Sequence, residues 1–233
     1  MNSELPVIMC TWKRPHRFAS TLEWLAEQEG VSPHLYAFNN SPESQDEMEG
    51  LAAQSSVPVS IRHGVSNRGS IARFVWAREL YRDHPYLVFV DDDQVFGPDA
   101  LAGLLEEAAP RTIVGVWAFR IDSLESYWDR DKAPPGGEAD YVGTGGQILD
   151  SSIFDDPDAY RVPPPYAPVE DLWLCHVARL RGWTLRRSAK VIWTPSDDDD
   201  LDQWRVLKEE KQELYRYLVA KGFRPLRFRD AVG

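Results

Sequence analysis

The chain has 233 residues, with 26 lysines and arginines against 37 aspartates and glutamates, so its formal net charge is −11 at pH 7. Nonspecific nucleic-acid binding requires a basic surface that displaces counterions from phosphates, and we therefore expect no nucleic-acid partner. The composition, 43% hydrophobic and 27% charged, is that of a globular protein able to bury one substantial core.

No stretch of the sequence reaches the roughly 18 apolar residues of a membrane span, and residues 1–6 lack the basic and apolar regions of a signal peptide. We therefore expect a cytoplasmic protein. The two cysteines, Cys10 and Cys175, lie far apart and have no His or Cys neighbour at metal-ligand spacing. Reduced, buried thiols are predicted for both.

Apolar runs alternate with amphipathic stretches over the first half of the chain. Strands are predicted at four apolar runs, residues 6–10, 35–38, 57–61 and 86–90. Helices are predicted at three amphipathic stretches, residues 18–28, 70–81 and 98–108. Ser70 is expected to cap the second helix. This alternation indicates a parallel sheet with right-handed crossovers.

The second half is less regular. An apolar run predicts a strand at 112–119, and prolines and glycines make residues 122–140 a loop or an irregular hairpin. A helix is predicted at 169–181, ended by Gly182. A strand at 184–193 and a charged helix at 201–220 complete the predicted elements.

Three consecutive acids, Asp91, Asp92 and Asp93, directly follow the apolar strand at 86–90. Ligands of an open parallel sheet bind at the carboxyl ends of its strands. Adjacent carboxylates repel each other unless a cation lies between them. Because Mg²⁺ and Mn²⁺ take one or two carboxylates plus substrate phosphate oxygens, the run predicts a divalent-cation site. An exposed acidic turn with an aspartate helix cap is the alternative.

Four motifs, at residues 7–15 (VIMCTWKRP), 67–70 (NRGS), 91–93 (DDD) and 170–171 (ED), occur in a characteristic order. In that order and approximate spacing the chain, over about residues 5–193, resembles the GT-A glycosyltransferases, in particular the inverting, DxD-containing family 2-like group. The resemblance implies an α/β fold, Rossmann-like, with a central mostly parallel sheet flanked by helices.

The resemblance also implies a domain organisation. Residues 1–200 would form the catalytic domain, with a nucleotide-binding half at about 1–95 and an acceptor and catalytic half at 96–200. Residues 201–233 would form a charged helix and a basic tail packed on the same domain. This last segment carries eight lysines and arginines against five acids. A solvated helix packed on the sheet is favoured for it, and weak peripheral contact with an anionic membrane is the alternative.

The implied reaction is metal-dependent transfer of a sugar from a nucleoside-diphosphate sugar, with a UDP-sugar favoured, to an acceptor hydroxyl with inversion. Asp91 and Asp93 would hold Mn²⁺ or Mg²⁺, which neutralises the leaving diphosphate. Asp92 would contact the ribose or be structurally idle. Asp171 would be the general base that the acceptor hydroxyl needs, with Glu170 as the alternative base. The acceptor, a saccharide, lipid-linked or small molecule, is not indicated.

Donor-binding residues are implied at the ends of the first two strands. Thr11 and Arg14 follow the first strand, where the family binds the base or the diphosphate. Asn39 and Asn40 follow the second strand, where a carboxylate usually reads the uracil or the ribose. Because amides replace that acid here, the base identity stays open.

Further donor contacts are implied in two later segments. Asn67 and Gly69 fit the segment that approaches the nucleoside, and Arg73 follows one helical turn later. Gly145 and Gly146 belong to a loop beneath the donor sugar, where glycine permits close backbone approach. Three tryptophans are candidates for stacking on a sugar, Trp117, Trp128 and Trp173.

One feature departs from the family. Many relatives supply a third metal ligand, often His, near residues 191–197, and no His occurs there. Asp197 or a neighbour would substitute, or water and phosphate would complete the metal. The acidic run 197–200 is predicted to be a mobile, solvated loop, with a lid over bound donor as the alternative.

Two other functions fit parts of the sequence. A sugar-phosphate nucleotidyltransferase would share the α/β plan and the acidic metal site. It usually has a Gly-rich, Arg- and Lys-containing loop after its first strand, where this chain has residues 11–15 (TWKRP). A non-enzymatic calcium- or carbohydrate-binding module would use the aspartates and tryptophans, but EF-hand spacing is absent from Asp91 onward.

Overall fold

The computed structural model describes residues 4–191, 193–195 and 203–229. The acidic run 197–200, with its predicted roles as third metal ligand, mobile loop or lid, lies outside the described residues. The strands are β1 (Glu4–Thr11), β2 (Ser32–Asn39), β3 (Val59–His63), β4 (Tyr86–Asp91), β5 (Gln94–Phe96), β6 (Thr112–Gly115), β7 (Ala118–Ile121), β8 (Arg130–Lys132), β9 (Tyr141–Val142), β10 (Gln147–Asp150), β11 (Thr184–Arg187) and β12 (Trp193–Pro195). The helices are α1 (Pro15–Ala26), α2 (Gln45–Gln54), α3 (Arg73–Leu80), α4 (Ala100–Glu107), α5 (Glu170–Leu180), α6 (Gln203–Val206) and α7 (Lys208–Ala220).

Seven strands form the central sheet in the order β11-β6-β10-β4-β1-β2-β3. The pairs β1–β2, β2–β3, β1–β4 and β6–β11 are parallel, whereas β10 runs antiparallel between β4 and β6. Helices cover both faces of the sheet. The predicted class, an α/β fold with a mostly parallel central sheet, is confirmed.

The central strands are apolar throughout because both of their faces are covered. Along β1 and β4 the side chains alternate between two hydrophobic clusters, with Ile8 and Phe89 in one and Val7, Val88 and Val90 in the other. All five are fully buried. Such continuous apolar runs are typical of strands inside a sheet that helices cover on both sides.

Two predicted strands are shorter in the structure. The run predicted at 112–119 breaks after Gly115, and β7 leaves the central sheet to join a separate sheet in the order β8-β7-β9. The run predicted at 184–193 ends at Arg187, and β12 pairs antiparallel with β5 instead. Residues 122–140, predicted as a loop or an irregular hairpin, supply β8, which pairs antiparallel with β7.

The helix predicted at 201–220 is divided at Leu207 into α6 and α7 within the described residues. Helix α7 buries Leu214, Tyr215 and Leu218 in the same hydrophobic cluster as Ile8. Helix α2 was not predicted, because among its ten residues Met48 alone is buried and the helix has little amphipathic character.

Both cysteines are free thiols, as predicted. Cys175 is buried on α5 and its thiol donates a hydrogen bond to the carbonyl of Val142, whereas Cys10 is half-buried. In the described part of the chain, no helix combines the length and the apolar composition that crossing a membrane would require.

Gly146 joins β4 to β6 through its backbone. Its N–H donates to the carbonyl of Phe89 at 3.1 Å, and its own carbonyl accepts the N–H of Val116 at 3.0 Å. The residue has φ +82°, and a Cβ placed there would lie 2.7 Å from the ring of Phe96. Both the backbone conformation and the neighbouring ring therefore require glycine at this position.

We expect Gly146→Ala to lower the free energy of unfolding by about 2–5 kcal/mol, the sum of left-handed strain and overpacking. Gly222→Ala is the matched control, because Gly222 also has positive φ, +98°, but has open space around a Cβ. Its expected loss is about 1–2 kcal/mol, from strain alone. Urea denaturation of both variants measures the difference, and equal losses would contradict the role of the Phe96 contact.

Candidate active site

A cleft of about 870 Å³ opens at the carboxyl ends of β1 and β4. These neighbouring parallel strands are in register, with Cys10 opposite Asp91, so their last residues reach the cleft together. The cleft is lined by twelve of the predicted site residues, Thr11, Arg14, Asn40, Asn67, Gly69, Arg73, Asp91, Asp92, Asp93, Gly145, Glu170 and Asp171. Residues from six separate segments of the sequence therefore meet at one place.

Two predicted site residues do not line the cleft, Asn39 and Gly146. Asn39 is fully buried, its Nδ2 lies 3.0 Å from Nδ1 of His63, and its Oδ1 accepts the backbone N–H of Ser41. The structure therefore corrects the prediction that Asn39 contacts the donor, because internal partners occupy its amide. Gly146 serves the sheet connection described above.

Asn40, by contrast, shapes one wall of the cleft. Its Nδ2 donates to the carbonyl of Gly69 at 3.2 Å, and its Oδ1 accepts the N–H of Arg68 at 2.9 Å. The side chain of Asn67 in turn accepts the N–H of Gly69. These bonds fix the backbone of residues 67–69 at the cleft.

The three consecutive aspartates differ in burial. The side chains of Asp91 and Asp93 are 35% and 33% exposed, whereas that of Asp92 is 5% exposed. Asp92 forms a buried ion pair with Arg14, whose other terminal nitrogen lies 3.7 Å from Asp93. Burial raises the pKa of Asp92, and Arg14 opposes that effect. The outer two acids therefore face the cleft, and the middle one is held by Arg14.

Arg73 joins the acidic run to the start of α5. Its guanidinium lies 3.0 Å from Asp91 and 3.2 Å from Glu170, with a side-chain exposure of 3%. Burial acts to lower the pKa of Arg73, but the two carboxylates outweigh it and the pKa is raised. A charged arginine therefore connects the residue predicted to bind metal with the Glu170–Asp171 pair.

Ser70 contributes to the same connection and does not cap a helix, so that prediction was wrong. It begins a 3₁₀ turn, residues 70–72, ahead of α3, and no side chain caps either element. Its hydroxyl lies within hydrogen-bond distance of the carbonyl of Pro168 and of the carboxylate of Glu170. The packing of α5 brings Pro168 and Glu170 next to Ser70. The hydroxyl therefore bonds to these distant residues and not to the backbone of its own helix.

Glu170 is almost fully buried, at 1% exposure. Burial raises its pKa from 4.5 to about 7, against the attraction of Arg73 and with the repulsion of neighbouring Asp171. The two pKa values therefore rise for different reasons: the carboxylates raise that of Arg73 against burial, whereas burial itself raises that of Glu170.

The folded protein therefore holds the Glu170 proton more tightly than the unfolded chain does. The resulting stabilisation is complete below pH 4.5 and is lost as the pH rises through about 7. We expect the wild type to lose up to about 3 kcal/mol relative to Glu170→Gln between these limits. Urea unfolding of both proteins at pH 4.5 and 8 measures this, and parallel pH curves would contradict it.

Asp171 lines the cleft at 8% exposure, with both carboxylate oxygens engaged. Its Oδ2 accepts the hydroxyl of Tyr141 and lies 3.7 Å from Nζ of Lys211, while Oδ1 accepts the N–H of Leu172 at 2.8 Å. Burial and then Asp171 raise the pKa of Tyr141 well above its usual value. The phenol therefore stays protonated and donates to the carboxylate.

The sequence analysis missed Tyr141 and Lys211, although both line the cleft. Burial acts to lower the pKa of Lys211, but Asp171 outweighs it and the pKa is raised. Lys211 precedes the buried positions Leu214, Tyr215 and Leu218 by three, four and seven residues. A lysine on that apolar stripe was the available signal, because it must lie on the inward face of the helix.

Of the three tryptophans considered for sugar stacking, Trp117 lines the cleft. The indole N–H of Trp173 donates to the carbonyl of Asp158, and that of Trp128 donates to the carbonyl of Lys208. Trp12, from the first motif, also lines the cleft.

The carboxylates of the cleft suit a divalent cation that also binds a phosphate group. Asp91 and Asp93 both line the cleft and keep about a third of their surface exposed. In the described ranges, no group of three or more His, Cys, Asp or Glu could by itself hold a metal. Proteins usually bind Mg²⁺ through one or two carboxylates, and phosphate and water oxygens supply the remaining ligands.

Comparison with models of protein families identifies the family of the chain. The family model described as glycosyl transferase family 2 matches residues 7–162, more than half of the chain. The chain belongs to glycosyl transferase family 2. The predicted resemblance and the prediction of a glycosyltransferase are thereby confirmed, and the nucleotidyltransferase and binding-module alternatives are set aside. No curated protein matches the sequence.

Solved structures of other glycosyltransferases share the fold of this family 2 member. The mannosyltransferase PcManGT from Pyrobaculum calidifontis, in complex with GDP-Man and Mn²⁺, has a TM-score of 0.69 at 13% identity, over 99% of this chain and 68% of that one. S. aureus TarS 1-349 with UDP-GlcNAc has a TM-score of 0.58 at 14% identity, over 85% of this chain and 60% of that one. GalNAc-T7 with UDP, GalNAc and Mn²⁺ has a TM-score of 0.63 at 10% identity, over 84% of this chain and 44% of that one. The chain thus spans less than two thirds of the length of the last two structures.

Proposed function

We propose that this family 2 member transfers a sugar from a nucleoside-diphosphate donor to an acceptor hydroxyl, with inversion and with dependence on Mn²⁺ or Mg²⁺. One observation carries the proposal: two outward-facing acids, Asp91 and Asp93, line the same cleft as the acid Asp171. A donor diphosphate site and a general base are the two requirements of a single displacement at the anomeric carbon.

Asp91 and Asp93 would hold the cation together with the donor diphosphate. When bound, a divalent cation supplies Lewis-acid neutralisation of the negative charge that grows on the leaving diphosphate. Two of the structures with the same fold contain Mn²⁺, one with GDP-Man and one with UDP and GalNAc, which supports the choice of cofactor and donor class. Arg14 and Arg73 add fixed positive charge beside the acids.

Asp171 is the better placed of the two candidate bases. Both acids line the cleft, but Glu170 is 1% exposed against 8% for Asp171, and Arg73 and Ser70 occupy its carboxylate. Asp171 lies at the cleft, where its contacts with Tyr141 and Lys211 fix the orientation of the carboxylate. We assign proton removal from the acceptor hydroxyl to the Asp171 carboxylate, and a positioning role to Glu170.

The nucleoside would lie against residues 67–69 and Asn40, in the nucleotide-binding half predicted at about 1–95. This wall is built from backbone fixed by side-chain amides, which suits hydrogen bonding to a base or ribose. A uridine donor stays the favoured prediction. Thermal-shift screening of nucleoside diphosphates with Mn²⁺ or Mg²⁺ identifies the base, since a ligand that binds the folded state raises the melting temperature.

We expect Asp91→Ala and Asp93→Ala each to remove the Mn²⁺-dependent part of the thermal shift caused by the matching nucleoside diphosphate. Each should also lower sugar transfer at least about 100-fold, because the leaving diphosphate then lacks its counter-charge. Asp99→Ala, an acid outside the cleft lining, is the control. Full transfer by both variants would overturn metal dependence.

We expect Asp171→Asn to lower transfer about 10²–10⁴-fold, because the amide does not accept the acceptor proton. Binding of the nucleoside diphosphate should persist, measured by thermal shift. Asp46→Asn, at an exposed acid in the first turn of α2, controls for loss of one negative charge. Unchanged turnover in Asp171→Asn would move the role to Glu170. NMR assignment of the anomeric configuration of the product tests inversion, and a retained configuration would contradict it.

A further inference from the structure

The part of the cleft around Asp171 has a surface that the donor motifs do not use. We call this surface the acceptor end. Some of its residues belong to the β8-β7-β9 sheet or the loop before β7, and the others to α7 or the residue before it. The acceptor end consists of Trp117, Phe119, Arg130, Tyr141, Leu207 and Lys211. Since Asp171 contacts two of these residues, a molecule that presents a hydroxyl to the base must lie against this surface.

Three aromatic rings form a row at the acceptor end. The rings of Trp117 and Phe119 are nearly parallel, 10° apart, with centroids at 6.1 Å, and those of Phe119 and Tyr141 are 23° apart at 6.2 Å. Trp117 directly precedes β7, and Phe119 lies on that strand. The faces of such rings attract cations.

Cations cover this row. Nζ of Lys132 lies 4.6 Å from the ring centre of Trp117, and the guanidinium of Arg130 lies 4.3 Å from that of Phe119 and 4.1 Å from that of Tyr127. A ring attracts a cation through its quadrupole and leaves the positive charge without a neutralising counter-charge. The charges of Arg130 and Lys132 are therefore available to an anion.

No acid in the described part of the chain pairs with these two cations. Across residues 4–191, 193–195 and 203–229, no ion pair joins Arg130 or Lys132 to a carboxylate, and Nη1 of Arg130 is buried without a hydrogen-bond partner. The charge of Arg130 also acts to lower the pKa of Lys211, so the cations repel one another. In a protein with a net charge of −11, two cations without an ion pair among the described residues point to an anionic ligand.

We propose that the acceptor is a hydroxyl compound that carries a phosphate or carboxylate group, and that Arg130 and Lys132 bind this anion. The inference rests on the proposed function. The reacting hydroxyl lies at Asp171, and the anionic group lies at the cations that cover Trp117 and Phe119. The planar fork of an arginine bonds two oxygens of either anion, which gives the contact direction as well as charge.

The same surface gives a role to the basic C-terminal segment. Lys211 approaches Asp171, and Nζ of Lys208 lies 5.6 Å from the ring centre of Trp128, so two lysines of α7 face the aromatic residues of this region. These positions favour recognition of an anionic acceptor over the contact with an anionic membrane that the sequence left as an alternative.

The test measures dissociation constants by isothermal titration calorimetry. The protein is first saturated with Mn²⁺ and the nucleoside diphosphate found by thermal shift, so that added anions do not occupy the diphosphate site. The probes form two matched series: glucose, glucose 6-phosphate and glucuronate, then glycerol, glycerol 3-phosphate and glycerate. Comparison of the phosphate and carboxylate members identifies which anion is recognised.

We expect an anionic member of at least one series to bind at least about 10-fold more tightly than its neutral counterpart at low salt, with the advantage falling as salt screens the charges. If the neutral members bind as tightly in both series, or if no anionic member binds measurably, the inference is wrong.

Variants assign the preference to residues. Arg130→Gln and Lys132→Gln should each weaken anion binding several-fold and change the affinity of the neutral probe much less. Arg120→Gln is the matched control, because Arg120 is an exposed arginine on β7 whose Nε donates to the carbonyl of Glu138. Equal loss in Arg120→Gln would show a general charge effect and overturn the assignment.

Two further measurements separate failure of this inference from misfolding of a variant and from failure of the proposed function. If Arg130→Gln fails to fold, Lys132→Gln decides alone, because Lys132 is exposed. Metal-dependent hydrolysis of a nucleotide-sugar by the wild type needs no acceptor and tests the proposed function separately. Hydrolysis without any preference for anions would overturn this inference alone, whereas absence of both hydrolysis and transfer with every donor would overturn the proposed function.

Discussion

The buried guanidinium of Arg73 is the interaction on which the geometry of the cleft depends. It lies within 3.2 Å of two carboxylates that come from different elements, Asp91 at the end of β4 and Glu170 at the start of α5. A buried arginine is strongly unfavourable without partners, so α3, β4 and α5 are held together. Because Asp171 follows Glu170 directly, the same contact positions the proposed base relative to the proposed metal site.

The run of three aspartates shows how one simple sequence acquires distinct roles. Successive side chains at the end of a strand point in different directions, so Asp92 turns inward to Arg14 while Asp91 and Asp93 face the cleft. The ion pair of Asp92 anchors the run and leaves its two outer carboxylates at the surface where a cation would bind. A similar division separates Glu170, whose carboxylate is held by Arg73, from Asp171, whose carboxylate contacts Tyr141 and Lys211.

Much of the fold could be predicted from local pattern. The apolar runs that became β1, β2 and β4 and the amphipathic stretch that became α5 were recognised because their side-chain spacing repeats within a few residues. The predictions that failed depended on distant contacts. Ser70 was assigned a local cap but interacts with Pro168 and Glu170, and the strand predicted at 112–119 broke where the chain passes to the β8-β7-β9 sheet.

The sequence by itself determined which residues could form strands and helices, and it placed the acids at the ends of these elements. The tertiary structure alone decided which of those acids are buried, that internal partners occupy Asn39, and that Tyr141 and Lys211 stand beside Asp171. The physical reason is that element formation depends on neighbours in the chain. The charge, burial and partners of a site residue depend instead on side chains that packing brings from remote parts of the sequence.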